Sequence, residues 1–142
     1  MLDGEVARAT LSIGLGFSRA DRDTHILRVA HVAHLLSRNG IFVAVAAISP
    51  YRRARAEARA KIGAFVEIHV MTPLDECIKR DVKGLYARAI KGEIACFTGI
   101  SDPYEAPVAP EIEIDTRLSS ADESADEIIW RLQRMGHLPP LR

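Results

Sequence analysis

The segment Ile41-Phe-Val-Ala-Val-Ala-Ala-Ile48 restricts the fold more than any other. It carries no polar side chain and is rich in β-branched residues. A strand with one wet face alternates apolar and polar positions. A continuous apolar run instead fits a strand buried on both faces, and such strands belong to parallel sheets covered by helices. The run is too short to span a bilayer. Asn39-Gly40 before it and Ser49-Pro50 after it mark its ends.

Helical and extended segments alternate around this run. Ser18 with Asp21 forms a helix start of the capping-box kind. Ile26, Val29, Ala30, Ala33, Leu35 and Leu36 then make an apolar stripe at helical spacing, which Asn39-Gly40 ends. Arg52 to Lys61 reads as an Ala/Arg-rich helix with a basic, solvated face. Phe65–Val70 reads as a second strand, and Pro73 opens a short helix carrying Leu74, Cys77 and Ile78. Residues 81–110 hold Gly84, Gly92, Gly99, Pro103, Pro107 and Pro110. They are expected to form a mobile, lid-like loop enclosing a short helix, Leu85–Ile90. Glu111–Asp115 is a third strand. Ser120 caps a last helix with Ala125, Ile128, Ile129, Leu132 and Met135, ended by Gly136. The alternation predicts one α/β domain over residues 1–142, with a parallel sheet flanked by helices.

Charge and cysteine usage narrow the partners. Nineteen Lys and Arg balance 19 Asp and Glu, which gives no global pull toward nucleic acid or an anionic membrane. Glu57 interrupts the one basic cluster, so neither partner is expected. The start, Met1-Leu-Asp-Gly-Glu5, shows no signal-peptide pattern. Two Cys cannot build a disulfide framework, and a reducing, cytoplasmic setting is the expectation. Cys77 and Cys96 are expected to pack as small hydrophobes. His31 and His34 lack further ligands at suitable spacing, so neither zinc nor another structural metal is expected.

In such sheets ligands bind beyond the carboxyl ends of the strands. If Leu2 ends a strand, Asp3 and Glu5 follow it on one side of the chain. Their hard oxygens can hold Mg²⁺ or take a proton from a hydroxyl, and a solvated turn is the plain alternative. Arg8, Arg22, Arg28, Arg52 and Lys83 are either surface charge or cations for a phosphate or sulfate. Phe17 and Phe97 lie in loops, where they either anchor the loop or sandwich a base. Ser49 follows the apolar strand, but no His lies nearby in sequence to activate it. These residues contain no G-x-x-x-x-G-K-[ST] phosphate loop, and Gly14-Leu-Gly16 matches no phosphate-binding pattern.

Several segments stand together in a familiar order: Leu2–Arg8, Leu15–Ser18, Asp21–Ile26, Ile48–Arg52, Asp81–Tyr86, Phe97–Ile100 and Asp102–Pro107. With them the chain resembles the adenylylsulfate (APS) kinase family, including forms fused to ATP sulfurylase. The resemblance implies a P-loop kinase fold and transfer of the γ-phosphoryl of ATP to the 3′-hydroxyl of APS, giving PAPS in sulfate activation. It places Asp3 and Glu5 near Mg²⁺ and the acceptor hydroxyl, Asp3 being the metal ligand. It gives Arg8 and Arg22 to the phosphosulfate and Phe17 and Phe97 to the adenine. Ile48 and Ser49 line the APS pocket, Lys83 and Leu85 lie in the lid, and Cys96 joins the APS set. Arg80 falls near the ATP adenine. Among these, Asp3, Glu5, Ser49 and Lys83 are the expected catalytic group. Phosphoryl transfer needs positioning, cations and metal more than a covalent nucleophile, so Ser49 is not required as a phosphorylated intermediate.

Three departures from the family accompany the resemblance. Glu5 stands for a second Asp, and His25 stands in the APS-binding set where Asn is usual, making that contact altered or pH-sensitive. The family's first strand and phosphate loop are expected ahead of Leu2. From these residues alone, weak ATP binding, slow transfer and apolar strand edges are expected, together with a homo-oligomer or a fusion to ATP sulfurylase. The competing expectation is a module that binds APS or another nucleotide, or mediates assembly, without transferring phosphate.

Overall fold

The structure is a computed structural model and describes residues 1–139. Its elements in chain order are β1 (Leu2–Asp3), α1 (Gly4–Thr10), α2 (Arg19–Ser37), β2 (Val45–Ala46), α3 (Arg52–Ile62), β3 (Ile68–Val70), α4 (Leu74–Arg80), α5 (Leu85–Ile90), β4 (Ile112–Ile114) and α6 (Ala121–Arg134). The chain forms two compact units. The first comprises Met1–Phe65 with Val82–Ala106, the second Val66–Asp81 with Pro107 onward. The described strands form two parallel pairs, β1 with β2 and β3 with β4. The α/β, parallel expectation therefore holds.

In the first unit α2 begins where Ser18 accepts a hydrogen bond from the Asp21 amide. Its Ile26, Val29, Ala30 and Ala33 are buried, together with Ala54 and Ala58 of α3. Ala54 and Ala58, four residues apart on one face of α3, present small side chains that let the two helices pack closely. Leu35, at the edge of the predicted stripe, stays exposed.

The apolar run behaves differently from expectation. Only Val45–Ala46 is strand, and Ile41, Phe42, Val45 and Ile48 are exposed. The reason is pairing: among the described residues β2 has one neighbour, β1, in the register Leu2↔Val45 and Asp3↔Ala46. Leu2 N–H adds a 2.7 Å bond to the Ala44 carbonyl. A strand bonded on one edge and covered by little else leaves its side chains to water. The chain after Asp3 also differs, turning at once into α1. Gly4 permits this, because a Cβ there would lie 2.9 Å from the Ala46 carbonyl oxygen.

In the second unit the predicted strands shorten to β3 and β4. Ile112 and Ile114 are buried with Leu132 of α6, and Val66, Ile128 and Leu138 pack against them. Ser120 and Glu123 form a full capping box at the start of α6. Such a cap is worth about 1 kcal/mol. Among the described residues no helix is long and apolar enough to cross a membrane.

Candidate active site

The site begins at the β1–α1 junction. Asp3 is the N-cap of α1: its Oδ1 accepts from the amides of Glu5 (2.9 Å) and Val6 (3.1 Å). Strand spacing is thus not what relates Asp3 to Glu5; one residue caps the helix and the other lies in its first turn. Glu5 is exposed and accepts a 2.5 Å bond from Lys83 Nζ, just before α5. That hydrogen bond, then the charge of Glu5, holds the Lys83 ammonium above its ordinary pKa. Asp3 Oδ2 takes no part in the cap. One or two carboxylates with room beside them is the donor set of a Mg²⁺ that arrives on phosphates. Among the described residues no group of three or more His, Cys, Asp or Glu forms a metal cage.

A second cluster surrounds Phe17, whose ring is half exposed. The Arg8 guanidinium lies 4.7 Å from the ring centroid and that of Arg22 lies 5.4 Å away. Arg8 also donates to the Gly16 carbonyl at 3.0 Å. Arg22 is buried, and it donates from Nε to the Phe17 carbonyl (3.0 Å) and from Nη2 to the Cys96 carbonyl (2.6 Å). It therefore ties the α1–α2 loop to the turn that starts at Phe97. Burial, then the neighbouring Arg22 charge, holds Arg8 below its ordinary pKa. Two guanidiniums beside one open ring make a positive surface suited to a planar, anionic ligand.

Phe97 is half-buried and meets Tyr86 of α5 edge to face, with centroids 5.1 Å apart. Its carbonyl accepts from the amides of Ile100, Ser101 and Asp102, closing a tight turn. Cys96 enters that turn with φ 53°, in the left-handed region, and is exposed rather than packed as expected. The group that Cys96 turns inward is its backbone carbonyl, which accepts from Arg22. Cys77 is half-buried and its thiol donates to the Thr72 carbonyl at 3.8 Å.

His25 is buried, and its Nδ1 lies 2.9 Å from Ser12 Oγ. Burial first, then the charges of Arg8 and Arg28, pushes its pKa down. The ring therefore stays neutral near pH 7, and its hydrogen bond braces the α1–α2 loop. Ile48 is exposed and Ser49 half-buried. Ser49 has φ 43°, a conformation few non-glycine residues adopt. Arg55 secures it by donating to the Ser49 carbonyl (2.6 Å) and the Glu105 carbonyl (2.5 Å). Glu105 in turn accepts from the Arg52 amide and from Arg19. The Arg52 amide chiefly holds the Glu105 carboxyl below the usual range. Leu85 is half-buried at the start of α5, behind Gly84 with φ 66°.

The first unit thus joins Glu5 with Lys83, and Arg8 with Phe17, Arg22, Cys96 and Phe97. Arg80 belongs to the second unit. There it donates to Glu76 (2.9 Å) and to the Thr116 hydroxyl (2.8 Å) and carbonyl (3.1 Å). Sequence reasoning missed Tyr51, Arg55, Asp102 and Glu105. Each lies in or beside a segment that the resemblance had quoted, but nothing in spacing pairs residues some fifty positions apart.

Residues 1–115 match the family model described as Adenylylsulphate kinase. An adenylyl-sulfate kinase of Picosynechococcus is 54% identical over 140 residues, covering 99% of this chain and 79% of that protein. The structure of the Mycobacterium tuberculosis APS kinase CysC in complex with AMPPNP and APS superposes with TM-score 0.87 at 45% identity. The match covers 93% of this chain and 78% of that one. The hexameric APS kinase from Thiobacillus denitrificans superposes with TM-score 0.68 at 35% identity, over 96% of this chain and 22% of that one.

Proposed function

This chain belongs to the adenylylsulphate kinase family, and we propose that its first unit holds the acceptor while the γ-phosphoryl of ATP passes to the acceptor's 3′-hydroxyl, giving PAPS. The observation that carries this reading is Arg22, buried and bonded to the carbonyls of Phe17 and Cys96. It joins the two loops whose aromatic rings would stack an adenine, beside the Arg8 charge that would meet a phosphosulfate. The CysC structure, which contains APS and AMPPNP, supports the choice of ligands.

In this reading Phe17 and Phe97 stack the base, and Arg8 and Arg22 face the anionic end. His25 braces the loop that carries Phe17. Ile48, Ser49, Leu85 and Cys96 line the pocket. Lys83 offers positive charge to the transferring group, and its pairing with Glu5 positions it beside the α1 N-terminus. Glu5 or Asp3 accepts the proton of the hydroxyl. Asp3, with Glu5 nearby, would hold Mg²⁺ brought with the nucleotide, an ion that neutralises phosphate charge when bound. Arg80 would serve the ATP adenine, its guanidinium held by Thr116 and Glu76. Residues 81–110 would serve as a lid over the nucleotide.

Assembly into a homo-oligomer, or placement within a longer polypeptide, is supported by the hexameric relative, of which the match covers 22%. Two free cysteines suit a cytoplasmic setting. Calorimetric titration with APS tests the acceptor site, and transfer of label from [γ-³²P]ATP into PAPS with Mg²⁺ tests the reaction. Absence of APS binding overturns the reading. Binding without transfer favours the module that holds nucleotide alone.

A further inference from the structure

The roles above leave unused the largest fully buried side chain among the described residues, Tyr51, which is 1% exposed. Its ring is covered by the Arg19 guanidinium, 4.3 Å from the centroid. Its hydroxyl donates to Asp102 Oδ2. The same carboxylate oxygen lies 3.8 Å from Arg22 Nε, across a contact where both side chains are largely buried. Arg22 then ends on the Phe17 and Cys96 carbonyls. The backbone of Asp102 closes the neighbouring turn: its amide donates to the Phe97 carbonyl and its carbonyl accepts from Gly99.

A buried phenol without a partner is costly, and a carboxylate is its strongest available acceptor. The ring is buried and capped by the Arg19 guanidinium, which holds it in place. Asp102 is therefore held from one side by a fixed hydroxyl and presents its charge to Arg22 in a fixed direction. A guanidinium so oriented can reach a carbonyl on each of two loops. We infer that Tyr51 and Asp102 are positioning residues: the Tyr51–Asp102–Arg22 relay sets where Phe17 and Phe97 stand and so tunes affinity for the nucleotide acceptor without touching it. The ligand in this statement rests on the acceptor site proposed above; the relay itself rests on the contacts alone.

Tyr51→Phe keeps the ring and deletes the hydroxyl, and Asp102→Asn keeps the shape and deletes the charge. In the ligand-free chain, hydrogen exchange at the amides of Gly99, Ile100, Ser101 and Asp102 is expected to speed by about tenfold in either variant, the scale of one net hydrogen bond. Amides within α6 should not change. Unaltered exchange in the 99–102 turn overturns the relay. In the same variants, measured well below melting, the dissociation constant for APS, and its KM, should rise by about tenfold with kcat nearly unchanged. The double variant should be no weaker than the weaker single one, since both cut one relay. Loss of APS affinity only in step with melting temperature shows a merely structural pair and overturns the inference. A wild-type chain that fails to bind APS refutes the acceptor reading instead, and the exchange measurement still decides the relay. Should Tyr51→Phe fold poorly, Asp102→Asn carries both measurements.

Discussion

Arg22 offers the sharpest test of how this site is held. Replacing it with Ala removes a 3.0 Å bond to the Phe17 carbonyl, a 2.6 Å bond to the Cys96 carbonyl and the contact with Asp102. Hydrogen bonds to charged groups contribute about 1.5–3 kcal/mol each. Breaking a buried pair by deleting one partner costs about 3–5 kcal/mol, because the other charge is stranded. The losses overlap, since all pass through one guanidinium, so Arg22→Ala should destabilise the fold by about 3–5 kcal/mol. Arg22→Lys is the informative companion. It keeps the charge near Asp102, but a single ammonium cannot span carbonyls on two loops. We expect it to lose about 1.5–3 kcal/mol, the share of one charged bond. Urea titration followed by far-UV circular dichroism gives both values, and calorimetry with APS reads the site. Arg22→Ala within about 0.5 kcal/mol of wild type, the range of an ordinary surface substitution, would refute the clasp. So would an Arg22→Lys variant indistinguishable from wild type in stability and APS affinity.

Three further outcomes are expected. Gly4→Ala puts a Cβ 2.9 Å from the Ala46 carbonyl, so β1 and β2 must move apart at a cost of about 1–3 kcal/mol, readable as a lowered urea midpoint. Lys83→Met removes an exposed pair, so thermal melting should barely change while PAPS formation falls about 10²-fold; retention of full turnover would remove Lys83 from the catalytic group. Burial, and then the bond to Asp102, pushes the Tyr51 hydroxyl from 10.0 up to about 12. Between those values the folded state keeps a proton that the unfolded state has lost, so stability is full below pH 10 and falls as pH rises through 12. Urea midpoints from pH 9 upward should show that fall in wild type and a shallower one in Tyr51→Phe.

Much was legible because the signals are local. Ser18 and Ser120 start helices through their own hydroxyls, and both helices begin at the next residue. Leu85–Ile90 is helical over its predicted span. Phe17, Arg8 and Arg22 lie within one short stretch, so their convergence needs only a turn and the first helical residues after it. Two readings failed because their cause is not local. The apolar run Ile41–Ile48 has the composition of a buried strand, but burial depends on what lies on each side, and here one strand pairs with it. The spacing of Asp3 and Glu5 suits a strand, yet the close backbone approach at Gly4 and the cap made by Asp3 turn the chain into a helix.

The sequence by itself determined the alternation of helix and strand, the parallel α/β class and the family, since these follow from caps, periodicity and ordered motifs carried by neighbouring residues. Tertiary structure alone decided which side chains are free to meet a ligand. Arg22 reads as a wholly open cation until the nearby Phe17 carbonyl and the distant Cys96 carbonyl each take one of its N–H groups, and Glu5 reads as a bare carboxylate until Lys83 pairs with it. Tyr51 reads as one more aromatic until the fold buries its ring and hands its hydroxyl to Asp102. Hydrogen-bond geometry is set within a few tenths of an ångström, and only folding brings residues so far apart in the chain to that distance.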